Sequence, residues 1–243
     1  MDKLIADIRY FASEYTNEDS SPSGCSFLFN YPKSLNYWGA RIAVLLRGSG
    51  FSLGTYDHLY INFTSAISEG SILPSEKSFE KWLRYVNFGV SFHHLNSLSE
   101  PELETFLIRS TFEVLFKLFE NNQNSQTIIK SAEEEINKHG SDIELPVKTK
   151  ETKSYAVKVT YKLRPKGSSS YGIVNYINHK SGLSFSKRFV DLKGPSDIFP
   201  LVGSISIKEG IIIIKPRSSF RADIYTKSYD VPFEIDIENE SCA

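Results

Sequence analysis

WLRYVNFGVSFHHLNSLSEPELETFLIRSTFEVLFKLFENN (residues 82–122) decides the fold class, because the period of its apolar residues changes part-way along. Over residues 82–92 the apolar residues alternate with polar ones, which predicts a strand. Ser99 and Glu102 then form a capping-box pattern, and apolar residues follow them every three or four positions. That spacing predicts a helix over 99–122, so strand and helix follow one another directly.

The segments on either side of this stretch supply further elements. Residues 2–15 place apolar side chains at spacings of three and four, which predicts an amphipathic helix. RIAVLL (41–46) is a short apolar run and is interpreted as a buried strand. YDHLYINFT (56–64) alternates and predicts another strand. A second helix is expected over residues 126–139, where helical spacing resumes.

From residue 143 onward the pattern predicts strands only. YAVKVTYKL (155–163) alternates cleanly between apolar and polar residues. Two hairpins follow, and Gly182 and Gly210 occupy their turns. Two more strands are expected in FRADIYTK (220–227) and VPFEIDIE (231–238).

The expected fold is therefore α+β: a mixed N-terminal part with antiparallel strands and two central helices, followed by a strand-rich antiparallel C-terminal part. The polar stretch PVKTKETK suggests a boundary that gives parts 1–145 and 146–243, and packing of both parts as one unit is the alternative. The first part has 12 Lys+Arg and 19 Asp+Glu, and the second has 16 and 10. Opposite net charges of −7 and +6 indicate either two different surfaces or attraction between the halves.

The composition limits the class of protein. The chain has 243 residues, of which 40% are hydrophobic, and it has no apolar run of transmembrane length or signal-peptide character. We therefore expect a cytoplasmic protein without a membrane segment. Cys25 and Cys242 are the only cysteines. Two free thiols are expected in a reducing compartment, with a disulfide as the alternative, and the count excludes zinc ribbons and fingers.

The histidines are the first candidates for chemistry. Neighbours in a strand point to opposite faces, so His93 and His94 cannot easily share one metal ion if the strand continues through them. With His58 and Asp57, a site of two histidines and one carboxylate can be drawn, but no ligand motif such as H-E-x-x-H supports it. We expect polar positions at a strand end, no metal and no cofactor.

Other catalytic patterns are missing from the sequence. RGSGFSLG (47–54) is glycine-rich but lacks the lysine of a phosphate-binding loop and the spacing of a dinucleotide fingerprint. No G-x-S-x-G nucleophile elbow is present. Glu133–Glu135 are interpreted as a solvated helix face. We predict a protein without catalytic residues, and an enzyme whose site is assembled from distant residues stays an alternative.

The basic C-terminal part offers a nucleic-acid alternative. Basic residues alternate there with aromatic ones, a combination that binds single-stranded nucleic acid, although no recognition motif is present. The residues that would make these contacts are Lys187, Arg188, Lys215, Arg217 and Arg221.

YDHLYINFT, WLRYVNFGVSFHHLNSLSE and the strand-rich tail ending in IIIIKPR resemble together the cytoplasmic immunity proteins of bacterial polymorphic-toxin and contact-dependent systems. The resemblance is one of style, because such proteins are small, α+β and aromatic-rich and carry no catalytic motif. It covers the chain diffusely, so no family residue is carried over. It implies a protein that binds and neutralises a cognate toxin. A phage or prophage inhibitor of a host enzyme would have the same pattern.

A protein partner would be held by aromatic and charged side chains, because tyrosine, tryptophan and arginine are the usual interface anchors. The acidic N-terminal part suits a basic partner such as a nuclease toxin domain. The alternative is that the aromatic residues belong to the core. The candidate partner-binding residues are Trp38, Tyr56, Asp57, His58, Tyr85 and His94.

Overall fold

The computed structural model describes residues 2–16, 23–76, 80–165 and 168–240. Cys242 and the proposed disulfide lie outside the described residues. The chain forms two compact units, residues 1–140 and 141–243. The described residues contain eleven strands in three sheets and seven α-helices, which confirms the α+β class.

The first unit is built on a four-stranded sheet with the order β1-β2-β4-β3. Its strands are β1 (Asp7–Ser13), β2 (His58–Thr64), β3 (Ile72–Pro74) and β4 (Leu83–Gly89). Its helices are α1 (Asn36–Gly48), α2 (Phe92–Ser97), α3 (Glu100–Leu118) and α4 (Gln123–His139). Only β3 and β4 pair antiparallel; β1–β2 and β2–β4 are parallel. The parallel pairs were not predicted, because alternation does not show strand direction.

Both strands predicted over 56–64 and 82–92 are confirmed as β2 and β4. β2 has a neighbour on each side, and its residues from Leu59 to Thr64 are all buried. Strands in the parallel part of a sheet are commonly covered on both faces, so their polar residues are buried as well.

The helix predicted over residues 2–15 is wrong, because this segment contains β1. Ile8, Tyr10 and Ala12 are buried at alternating positions and face the core. The Tyr10 hydroxyl lies 2.9 Å from Oγ1 of Thr111 on α3, which satisfies a polar atom that would otherwise keep Tyr10 at the surface. When Tyr10 is counted among the residues that face the core, the inward positions recur every two residues, as in a strand.

The strand predicted over 41–46 is also wrong, because these residues lie inside α1. Trp38, Ile42 and Leu46 are buried four residues apart, as on one face of a helix. A short apolar run fits a buried strand and a buried helix equally well, so periodicity within the run could not distinguish them.

Both helices predicted at 99–122 and 126–139 are confirmed as α3 and α4. The capping box forms as predicted: the backbone N–H of Ser99 donates to Oε2 of Glu102 over 2.8 Å. At the start of α4, Oδ1 of Asn122 accepts from the backbone N–H of Ser125 over 3.0 Å.

The second unit contains two antiparallel sheets, as predicted. One has the order β5-β6-β7-β8 and the other has β11-β10-β9. The strands are β5 (Leu145–Glu151), β6 (Tyr155–Lys162), β7 (Ser170–Asn178), β8 (Ser184–Leu192), β9 (Ser204–Lys208), β10 (Ile211–Lys215) and β11 (Phe233–Asp236). Both predicted hairpins are confirmed, and Gly182 and Gly210 have φ of 74° and 79°, which L side chains rarely adopt.

The expectation of strands only after residue 143 is wrong. The second unit also contains α5 (Ile198–Leu201), α6 (Phe220–Thr226) and α7 (Ile237–Glu240). The predicted strand at 220–227 is α6. Oγ of Ser219 accepts from the backbone N–H of Ala222 over 3.2 Å and caps this helix.

Candidate interaction surface

Two of the predicted partner-binding residues, Trp38 and Tyr85, belong to the interior. Trp38 is 2% exposed, and the guanidinium of Arg41 lies 4.5 Å from its ring centre. Tyr85 is 6% exposed and packs in a small cluster with Tyr60 and Leu83. Their prediction as interface anchors is wrong, because each side chain already has its contacts within the first unit.

Tyr56, Asp57 and His58 meet at the beginning of β2. Nδ1 of His58 lies 2.7 Å from Oδ1 of Asp57, and both side chains are half-buried. The Trp82 ring packs against the His58 ring with centres 4.6 Å apart, and the Arg84 guanidinium lies 5.8 Å from the Tyr56 ring centre. His58 therefore contacts Asp57 and Trp82 at one end of the sheet, and Tyr56 contacts Arg84 there.

His94 lies at the other end of the same sheet. β4 runs parallel to β2, so Leu83 pairs with His58, and Gly89 pairs with Thr64. His94 follows Gly89, which places it beyond the far end of strands that are roughly 20 Å long at the usual rise per residue. The site of two histidines and one carboxylate that the sequence allowed is not formed.

His93 and His94 are exposed residues of α2, and the expectation that they end a strand is wrong. Oγ of Ser91 accepts from the backbone N–H of His94 over 3.3 Å and begins the helix. His94 lines a cleft of about 600 Å³ together with Phe106 and Arg109 of α3. This cleft and the beginning of β2 are the two places where sequence candidates stay near the surface of the first unit.

Catalytic and metal chemistry finds little support in the described part of the chain. Within it, no three His, Cys, Asp or Glu residues are grouped so that they could hold a metal ion. Cys25 is a free, buried cysteine, and desolvation raises the pKa of its thiol to about 12. A thiol with that pKa is protonated at neutral pH and is a poor nucleophile.

The most exposed apolar residues of the second unit lie on α6. Phe220 is 83% exposed, Ile224 is 52% exposed and Tyr225 is 46% exposed. Phe220 and Ile224 are four residues apart and share a face, while Ala222 and Thr226 are the buried side of the helix. The short helix thus directs its largest apolar side chains to solvent.

A cavity of about 310 Å³ lies between α5 and α6, and we call it the α5–α6 cavity. Phe199, Pro200 and Tyr225 contribute apolar walls, and Arg217 and Arg221 contribute charge. The Arg221 guanidinium lies 5.9 Å from the Tyr225 ring centre. The α6 surface is defined here as Phe220, Ile224 and Tyr225 with the two arginines that line this cavity.

The candidate nucleic-acid residues do not form a single basic strip. Lys187 and Arg188 are neighbours in β8 and point to opposite faces. The Lys187 ammonium pairs with Glu240, and the Arg188 guanidinium pairs with Asp191. Carboxylates therefore neutralise both residues locally. Lys215 is exposed at the end of β10, and the structure brings only Arg217 and Arg221 to one cavity.

Sequence reasoning selected Arg217 and Arg221 together with the aromatic residues near them, such as Phe220, but missed Ile224 and the exposed face that it shares with Phe220. The two apolar residues were assigned to a strand, where they would share a face with Ala222. Ser219 before an apolar pair spaced by four is a helix-start pattern that favours the structure observed. In a segment of only seven residues, the spacing of the apolar residues fits both the period of a helix and that of a strand.

The chain matches no protein-family model, no curated protein and no solved structure. None of the helices in the described residues is long and apolar enough to cross a membrane. The geometry of the α6 surface is therefore what supports a function.

Proposed function

We propose that this is a non-enzymatic, cytoplasmic protein that binds a protein partner through the α6 surface and neutralises it, as the resemblance to immunity proteins implies. One observation carries the proposal: Phe220 is 83% exposed and adjoins Ile224 and Tyr225, which are also exposed. The expectation of a basic toxin domain as the partner stays a prediction from the net charge of the first part.

Exposed apolar side chains on one helix favour association for a physical reason. Single exposed apolar residues are normal, but neighbouring ones rimmed by polar groups mark interaction sites. Removing Phe220 and Ile224 from water would contribute roughly 1.5–3 kcal/mol each. Tyrosine and arginine, both present at the rim, are among the residues that contribute most to protein interfaces.

The composition of α6 favours a protein partner over a nucleic acid. Ile224 offers no stacking surface for a base, and the exposed carboxylate of Asp223 repels phosphates. Because Lys187 and Arg188 are paired with carboxylates, fewer cations are available to contact the phosphates of a nucleic acid. Nucleic-acid binding is therefore the alternative that the experiment must separate.

The test is affinity capture from a lysate of the source cells with the wild-type chain and the double variant F220S/I224S, with nuclease treatment throughout. We expect the wild type to retain one protein in stoichiometric amount and the double variant to lose it. F27S is the control, because Phe27 is 79% exposed and belongs to the first unit. We expect F27S to capture as the wild type does.

Two results would contradict the proposal. Equal capture by the wild type and F220S/I224S would exclude the α6 surface as the binding site. Capture that disappears on nuclease treatment alone would identify nucleic acid as the ligand. Neutralisation is tested by assaying the captured partner with and without the wild-type chain, and an unchanged activity would limit the function to binding.

A further inference from the structure

The four arginines of the second unit differ in their pairing. Nη2 of Arg164 lies 2.6 Å from Oδ1 of Asp142, and Arg188 pairs with Asp191. Arg217 and Arg221 have no carboxylate partner within the described ranges, and both line the α5–α6 cavity. A guanidinium presents a planar fork of donors that matches a carboxylate or phosphate, so two such groups beside one cavity form an anion-binding arrangement.

The size and walls of the cavity limit what it can hold. A volume of about 310 Å³ lies at the small end of ligand pockets, which suits one or two side chains better than a large cofactor. Phe199, Pro200 and Tyr225 supply apolar walls, and the Arg221 guanidinium lies 5.9 Å from the Tyr225 ring centre. An occupant must therefore combine a negative charge with an apolar body.

The local charge agrees with this requirement. Residues 215–227 contain one acidic residue, Asp223, and four cationic ones. The cationic residues are Lys215, Arg217, Arg221 and Lys227. Complementary charge speeds association and fixes register, so an acidic segment of a partner is favoured here over a basic one.

The exposed apolar residues lie next to the cavity in the sequence and in the helix. Ile224 follows Arg221 by three residues and Phe220 by four, so it lies beside both on the surface of the helix. A segment whose carboxylate reaches the arginines would thus place its neighbouring side chains on Phe220 and Ile224. Those neighbours must be apolar to gain from the contact.

We infer that the α5–α6 cavity binds a carboxylate of the partner, and that the α6 surface recognises an acidic peptide segment with apolar residues beside the acid. The inference rests on the proposed function and deepens it, because it names the chemistry of the segment bound. Arg217 and Arg221 hold the carboxylate, and Phe220 and Ile224 contact the adjacent apolar side chains.

The experiment measures fluorescence anisotropy of labelled probes with the full chain. The probes are a short peptide of alternating glutamate and phenylalanine, the same peptide with glutamine for glutamate, and a short oligothymidylate. The variants are R217Q/R221Q and, as a control of equal charge loss, K180Q/K208Q in the two hairpin turns of the same unit. We expect the glutamate peptide to bind best, and R217Q/R221Q to weaken it about tenfold or more.

The control variant K180Q/K208Q should bind the glutamate peptide as the wild type does. Equal binding of the glutamate and glutamine peptides would overturn the inference, as would wild-type binding by R217Q/R221Q. Tighter binding of oligothymidylate through the same arginines would overturn it in favour of a phosphate ligand. A lysate partner that F220S/I224S loses but R217Q/R221Q retains would overturn this inference and leave the proposed function standing.

Discussion

Trp38 in the first unit and Phe220 in the second are both aromatic residues between polar or small neighbours in the sequence, yet Trp38 is 2% exposed and Phe220 is 83% exposed. Trp38 belongs to α1, a helix of 13 residues that approaches β1 so closely that a Cβ on Gly39 would lie 2.2 Å from the carbonyl oxygen of Ile8. Phe220 belongs to a helix of seven residues that buries only Ala222 and Thr226. The comparison teaches that exposure depends on how many sides of an element are covered, which local sequence does not show.

The largest expected effect tests this comparison directly. We expect W38A to lower the free energy of unfolding of the first unit by about 3–5 kcal/mol, because it removes a fully buried ring and leaves a cavity. F220A should change the stability of the second unit by less than about 0.5 kcal/mol. Urea unfolding followed by the emission of Trp82 measures the first effect, and circular dichroism measures the second, because the second unit has no tryptophan. Similar small effects of the two substitutions would contradict the burial of Trp38.

Much of the fold was predictable where a segment was long or had a distinctive end. α3 and α4 had caps and repeated apolar spacing, and β6 alternated without interruption. The predictions for β1 and α6 were wrong because elements of seven residues fit two periods, and because Tyr10 lies in the core, stacked on Phe63 and hydrogen-bonded to Thr111. The parallel pairing of β1, β2 and β4 depends on the connections between these strands, through α1 from β1 to β2 and through β3 from β2 to β4, which alternation cannot reveal.

The candidate site was predicted only in part. Arg217 and Arg221 were selected for their charge, and the structure places both at one cavity. The predictions for Trp38 and Tyr85 were wrong because an aromatic residue beside a small or charged one, such as Gly39 or Arg84, can still face a sheet or a helix. Ile224 and the exposed face that it shares with Phe220 were missed because the wrong period gave α6 the wrong faces.

The second prediction concerns alkaline pH. The Cys25 thiol has an ordinary pKa of 9.0 and a pKa of about 12 in the folded first unit, because burial disfavours the thiolate. Between these values the folded state binds the proton that the unfolded state has lost. The free energy of unfolding should therefore fall by up to about 1.4 kcal/mol for each pH unit in this window, and this contribution is fully present below pH 9.

The control is C25S, which removes the thiol with little change in volume. Its stability should fall less steeply than that of the wild type between pH 9 and pH 11, as measured by urea unfolding at several pH values. In the second unit, burial and Asp197 raise the pKa of Tyr229 from 10.0 to about 12. The free energy of unfolding of the second unit should therefore begin to fall about one pH unit higher than that of the first unit. Identical pH profiles for C25S and the wild type would contradict the role of Cys25.

The prediction with the smallest expected effect tests the hydrogen bond that allows Tyr10 of β1 to face the core. Oγ1 of Thr111 has one proton and donates it to the carbonyl oxygen of Leu107 over 2.7 Å, so the Tyr10 hydroxyl must be the donor in the 2.9 Å contact between them. Y10F then removes the donor and leaves Thr111 bonded, which should cost about 0.5–1.5 kcal/mol of unfolding free energy. T111V instead leaves the buried Tyr10 hydroxyl without its acceptor and should lower the free energy of unfolding by about 1–3 kcal/mol. The double variant Y10F/T111V should lose less unfolding free energy than the sum of the two single losses. A larger loss for Y10F than for T111V would contradict the assignment of Tyr10 as the donor.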